Sequence, residues 1–273
     1  MGEPRNRKEQ RQKQKTRKLM NTQTTSRIIL ALDVDSVEKA VQLMDATKDH
    51  IGMVKIGLEL INAQLAGEVA KAAHARSVGI FWDGKWDDIP TTAGNAMKVT
   101  AQMPGICMVN VHVNADIEGM MAVVANKGNA LVLAVTELTS LDTESVELKA
   151  GASRNASVLY DARMAAYAGC DGVICSPKEL SLLGRYANRK INPELPLTKL
   201  IKVVPGTRSL GGDAQDQKNV DSQESAILNG ADWLVIGREV TKNPNMSPAE
   251  AARALNVRMA IAFAEREKGA VAK

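Results

Sequence analysis

The chain has 273 residues, 45% hydrophobic and 24% charged, with a formal net charge of +4. This is the composition of a soluble globular protein, and no apolar run approaches the roughly 18 residues of a spanning helix, which argues against a membrane protein. The length suits one large core, such as an α/β barrel of about 250 residues.

The charge is unevenly spread. Residues 1–18 hold eight Lys/Arg (Arg5, Arg7, Lys8, Arg11, Lys13, Lys15, Arg17 and Lys18) against Glu3 and Glu9, so a local +6 within a total of +4 leaves the rest at −2. Residues 1–26 lack apolar periodicity and read as a disordered basic tail, without the apolar segment of a secretory signal. We read the tail as a solvated leader, with a nucleic-acid-binding arm as the alternative. Cys107, Cys170 and Cys175 are odd in number and lack metal-ligand spacing, so a reducing compartment is expected, by default the cytoplasm.

From residue 27 onward, short apolar runs alternate with amphipathic stretches. The first strand is predicted at 27–35 (RIILALDVD) and the second at 53–61 (MVKIGLELI), with a helix over 36–50 between them. Strands follow at 78–84, 106–113, 130–138, 171–176, 199–206 and 231–240, with helices such as 59–75, 156–169 and 222–230 between them. Several helices end at a glycine that can adopt the left-handed cap conformation. Eight near-continuously apolar strands alternating with helices predict a (β/α)8 TIM barrel over residues 27–273.

In such a barrel the loops after the strands form the functional face. Asp33, Lys55, Asp83, Lys85 and Asp88 all lie at or just beyond the first three strands, so they converge on one side of the mouth. Alternating signs let each charge stabilise the next, and a lysine fenced by carboxylates is held as a cation and proton donor rather than as a Schiff-base nucleophile. Asp83 and Lys85, two apart, point the same way from an extended chain, whereas Asp88 lies in the loop leading to Pro90.

Across the mouth, VVPGTR places Gly206 and Arg208 after strand seven, and VIGREV places Gly237 and Arg238 after strand eight, where this barrel commonly binds phosphate. His112 reads as a hydrogen-bonded structural histidine and Cys175 as a small core residue.

The segment Asp-x-Lys-x-x-Asp-Ile-Pro-x-Thr at 83–92, with ALDV, VKIG, TELTS, VPGTR, DQK and VIGR in order, resembles the orotidine 5′-phosphate decarboxylase family over residues 27 to about 245. The resemblance implies decarboxylation of orotidine 5′-monophosphate to uridine 5′-monophosphate in pyrimidine biosynthesis, with no cofactor and no metal. It implies that Asp33 and Lys55 contact the ribose, that Asp83 lies near the substrate carboxylate, and that Lys85 protonates the ring carbon that loses CO2. It further implies a homodimer in which Asp88, Ile89 and Thr92 cross into the neighbour's site. Thr139 would address the pyrimidine, and Arg208, Gln217, Gly237 and Arg238 the phosphate, under a closing loop at 208–219. Many members carry His where this chain has Asp87, a departure that either perturbs the charged network or faces solvent.

Two other readings stay open: a phosphosugar enzyme of the same barrel superfamily, using the acids as magnesium ligands, and a barrel that binds nucleotide phosphate without turnover.

Overall fold

The computed structural model describes residues 26–138, 140–187, 197, 200–207 and 221–271. The strands are β1 (Ile28–Ala31), β2 (Met53–Ile56), β3 (Gly79–Trp86), β4 (Ile106–His112), β5 (Leu131–Val135), β6 (Gly172–Ile174), β7 (Ile201–Val204) and β8 (Trp233–Ile236). They pair in parallel in sequence order, and β8 returns to β1 to close the barrel. The helices are α1 (Val37–Thr47), α2 (Leu58–Asn62), α3 (Ala66–Ala75), α4 (Pro90–Thr100), α5 (Asp116–Asn126) and α6 (Thr143–Ala150), then α7 (Arg154–Tyr167), α8 (Leu180–Ala187), α9 (Gln223–Leu228), α10 (Arg238–Thr241) and α11 (Pro248–Val271). The (β/α)8 architecture is therefore the one expected. No helix among the described residues is long and apolar enough to cross a membrane.

The element boundaries follow from local chemistry. Ser36, Asp142, Ser153 and Ser222 each accept a backbone N–H in the first turn of the helix they precede, and Pro90 opens α4, where its missing N–H costs nothing. Two predicted strands are too long. The chain turns helical directly after Gly57 and Gly237, so 58–61 belongs to α2 and 238–240 to α10. The predicted helix over 59–75 is broken at Gln64, which adopts a φ of +60°.

Alternation along the strands divides two cores. Ile28, Leu30, Val54, Ile56, Ile80 and Val109 face the helices, while Ile29, Met53, Phe81, Met108, Leu133, Val203 and Trp233 fill the barrel interior. Gly52 makes room at the floor, where a methyl group would land 2.7 Å from the Trp233 ring, and Arg27 lies 5.1 Å from the centre of that ring. A fully buried side chain of this kind contributes about 1.5–3 kcal/mol, against about 0–1 kcal/mol for an exposed ion pair. Apolar burial therefore closes the barrel, and charges at the mouth are left for another purpose.

Candidate active site

The inward columns change character on rising from floor to mouth. Ile29 and Ala31 are followed by Asp33, Met53 by Lys55, Phe81 by Asp83, and Leu133 and Val135 by Glu137. Each step of two residues keeps the side chain on the same face of its strand, so the polar residues arrive together above the apolar plug. They line a cavity of about 280 Å³ whose base is Phe81.

Four charges form a continuous chain on one side. Lys55 Nζ lies 3.3 Å from Asp33 Oδ1 and 3.1 Å from Asp83 Oδ2, and Lys85 Nζ lies 2.7 Å from Asp83 Oδ1. Asp83 is only 6% exposed. Burial pushes its carboxyl pKa up, but the charges of Lys55 and Lys85 and the hydrogen bonds from Lys85 and Asn110 together outweigh burial and hold it below the usual carboxylate range. Burial likewise pulls the Lys55 ammonium down, and the attraction of Asp83 and Asp33 more than restores it, leaving it above its ordinary value. Asp83 is thus an anion, and Lys55 a cation, at neutral pH.

Asp83 and Lys85 do meet, but not by simple extension. Along β3 the register runs from Trp82 opposite Val109 to Trp86 opposite Val111, so four steps on β3 face two on β4. Within this bulge Lys85 takes a φ of +47°. Its N–H donates to Asn110 Oδ1 at 2.7 Å, and Asn110 Nδ2 donates to Asp83 Oδ1 at 2.6 Å.

Sequence reading missed Asn110 and Glu137. Counting back two from His112 reaches Asn110, and counting on two from Val135 reaches Glu137, so the signal was inward parity. Glu137 is buried, accepting a hydrogen bond from Ser157 Oγ at 2.7 Å and lying 3.3 Å from Lys149 Nζ. His112 is buried as expected, its Nδ1 accepting the Asn114 N–H at 3.2 Å. Burial pulls its pKa down, with Asp87 opposing. Asp87 itself is exposed.

The wall at the ends of β7 and β8, which adjoins β1, is made of turns. Pro205, Gly206, Gly237 and Arg238 line the cavity there, with Gly206 at a φ of +78°. Arg238 is exposed at the start of α10. Among the described residues, a methyl at 237 would lie 3.7 Å from Ala31 Cβ and 3.9 Å from Asp33 Oδ2.

The remaining expected site residues fall elsewhere. Asp88, Ile89 and Thr92 are exposed at the start of α4, and none lines the cavity of its own chain. Asp88 Oδ1 accepts the Ile89 N–H at 2.7 Å. Thr139, Arg208 and Gln217, with the loop at 208–219, lie outside the described residues. Among the described residues, no group of three or more His, Cys, Asp or Glu is placed to hold a metal ion.

Residues 26–255 match the model of the orotidine 5′-phosphate decarboxylase / HUMPS family. Among curated proteins, the orotidine 5′-phosphate decarboxylase of Haemophilus influenzae (strain 86-028NP) is 35% identical over 239 residues, covering 85% of this chain and 98% of that protein. The enzyme of that name from Moorella thermoacetica is 36% identical over 241 residues, covering 84% and 90%. Among solved structures, orotidine 5′-phosphate decarboxylase from Lactobacillus acidophilus superposes with a TM-score of 0.70 at 27% identity, covering 86% of this chain and 99% of that one.

Proposed function

This chain belongs to the orotidine 5′-phosphate decarboxylase / HUMPS family, and from that premise we propose that it converts orotidine 5′-monophosphate to uridine 5′-monophosphate and CO2 without a cofactor. The observation that carries this reading is the alternating chain Asp33–Lys55–Asp83–Lys85, charged, interlocked and set at the mouth of the barrel.

Loss of CO2 breaks the bond between the ring carbon and its carboxylate and leaves the electron pair on that carbon. With no cofactor to absorb the charge, the protein must supply fixed countercharge, and the Lys85 ammonium does so from a position already set before substrate arrives. Lys85 then gives a proton to the ring carbon and is reprotonated from solvent. Asp83, held as an anion by its two lysines, sits beside the substrate carboxylate, and the repulsion between them falls as CO2 departs. Asp33 and Lys55 hold the ribose, and Thr139 addresses the pyrimidine. Arg208, Gln217, Gly237 and Arg238 take the phosphate, whose binding energy is spent on closing and orienting the site.

The active form in this reading is a cytoplasmic homodimer, with Asp88, Ile89 and Thr92 given to the neighbour's site. Their exposure outside their own cavity supports this, as does an apolar Ile89 that is 66% exposed. The catalytic unit in this reading is the barrel at 27–273. A metal-dependent barrel is the weaker reading, because Lys55 stands between the two carboxylates that would have to share the ion.

The test follows the loss of orotidine 5′-monophosphate absorbance on adding protein, with and without a chelator. Chelator-insensitive turnover is expected, with kcat reduced about 10⁴-fold in Lys85→Ala and uridine 5′-monophosphate still bound. Chelator-sensitive turnover would favour the metal-dependent reading, and nucleotide binding without turnover would leave a binding barrel.

A further inference from the structure

We infer that Asn110 is a positioning residue for the decarboxylation, an amide clip that fixes Asp83 and Lys85 in their working geometry. This rests on the roles proposed above for those two residues.

The bulge in β3 creates the need. Four steps between Trp82 and Trp86 against two on β4 remove the Lys85 N–H from the ladder of the sheet. An unpaired donor beside the cavity would be costly, and Lys85 adopts a left-handed conformation that L-residues other than Asn and Asp seldom take. Asn110, fully buried on β4, meets that N–H with its amide oxygen at 2.7 Å. Its amide nitrogen donates at 2.6 Å to Asp83 Oδ1, the same oxygen that accepts Lys85 Nζ at 2.7 Å.

The contacts close a ring from the Asn110 amide to Asp83, to the Lys85 ammonium, along Lys85 to its own N–H, and back to the amide. The ring sets the rotation of the Asp83 carboxylate, so that Oδ1 faces Lys85 while Oδ2 faces Lys55. It also fixes the backbone from which the Lys85 side chain departs.

The chemistry required at 110 is narrow: one donor, one acceptor and no charge. Alanine loses both bonds. Aspartate keeps the acceptor for Lys85 but turns a second carboxylate on Asp83, where the like charges force a shared proton.

The test measures kcat and KM for orotidine 5′-monophosphate, and binding of uridine 5′-monophosphate, in Asn110→Ala and Asn110→Asp between pH 5.5 and 8. For Asn110→Ala, kcat should fall about 10²-fold, as a misplaced reacting group costs, while KM and product binding change less than about threefold. For Asn110→Asp, kcat should be lowest at pH 8 and rise as pH falls, because a protonated carboxyl at 110 again donates to Asp83; the wild type should lack this trend. Turnover within twofold of wild type in Asn110→Ala, or in Asn110→Asp at pH 8, would overturn the inference, as would product binding lost in parallel with kcat. If Asn110→Ala does not fold, the Asn110→Asp profile decides alone, and a loss independent of pH overturns it. Failure of the underlying reading appears separately, as an inactive wild type or a fully active Lys85→Ala.

Discussion

The two halves of the barrel mouth solve different problems with different materials. Over β1–β4 the wall is built from side-chain charges and one buried amide, each tied to its neighbour within 3.3 Å. At the ends of β7 and β8 it is built from Pro205, two glycines and an exposed arginine, so backbone does much of the lining. A group that must stabilise charge during a reaction works best when its position is already set, because no reorganisation is then needed. A group that receives a bound phosphate needs only open backbone and a cation, since the ligand brings its own negative charge. In the proposed function, the contrast separates a half that performs chemistry from a half that holds the substrate.

Arg238→Ala should cut that division most sharply. Loss of charge-assisted hydrogen bonds to phosphate is expected to lower kcat/KM for orotidine 5′-monophosphate about 10²-fold. Slow decarboxylation of orotidine, which lacks the phosphate, should be unchanged. Equal losses with both substrates would mean that the two halves are not independent.

A smaller effect, from the charged half, is expected of Gly57→Ala. A methyl there lands 2.9 Å from Lys55 Nζ, so the ammonium must move off Asp33 and Asp83 while the backbone stays as it is. We expect kcat to fall about tenfold with the urea midpoint nearly unchanged; an unaltered kcat would show that the quartet tolerates displacement and is not preorganised.

The smallest effect concerns stability rather than turnover, and comes from behind the β5 end of the mouth. Asp161 on α7 is buried, and burial first, then Glu137 and Glu179, push its carboxyl pKa up to about 7 against the pull of Lys149. The folded-state pKa lies above the unfolded value near 3.8, so the stabilisation is complete below about pH 4 and is lost as pH rises through about 7. Over that window it can change by at most about 1.4 kcal/mol per pH unit. Urea unfolding at pH 5 and pH 8 should therefore show a weaker pH dependence in Asp161→Asn than in the wild type. Identical shifts in the two proteins would remove Asp161 as the titrating group.

Much of this was legible in the sequence, for identifiable reasons. Apolar runs marked all eight strands, and a lysine or aspartate rising out of such a run marked Lys55 and Asp83. Strand ends were harder to read. MVKIGLELI and ADWLVIGREV stay apolar across Gly57 and Gly237, although the backbone changes from a two-residue to a helical period at those glycines. Asn110 was hidden because a neutral amide within ICMVNVH does not announce itself as a charge would. The bulge that brings Lys85 to Asn110 depends on how β3 sits against β4, and one strand read alone does not contain that register. The coupling of Glu137 to Asp161 arises likewise from packing, across 24 positions of sequence.

The plug of Ile29, Met53, Phe81, Met108, Leu133, Val203 and Trp233 also governs traffic. Because Phe81 is both the top of that plug and the base of the cavity, the barrel axis is not a passage but a well. Among the described residues the way in and out is at the mouth, and in the proposed reaction the nucleotide, CO2 and product would share it.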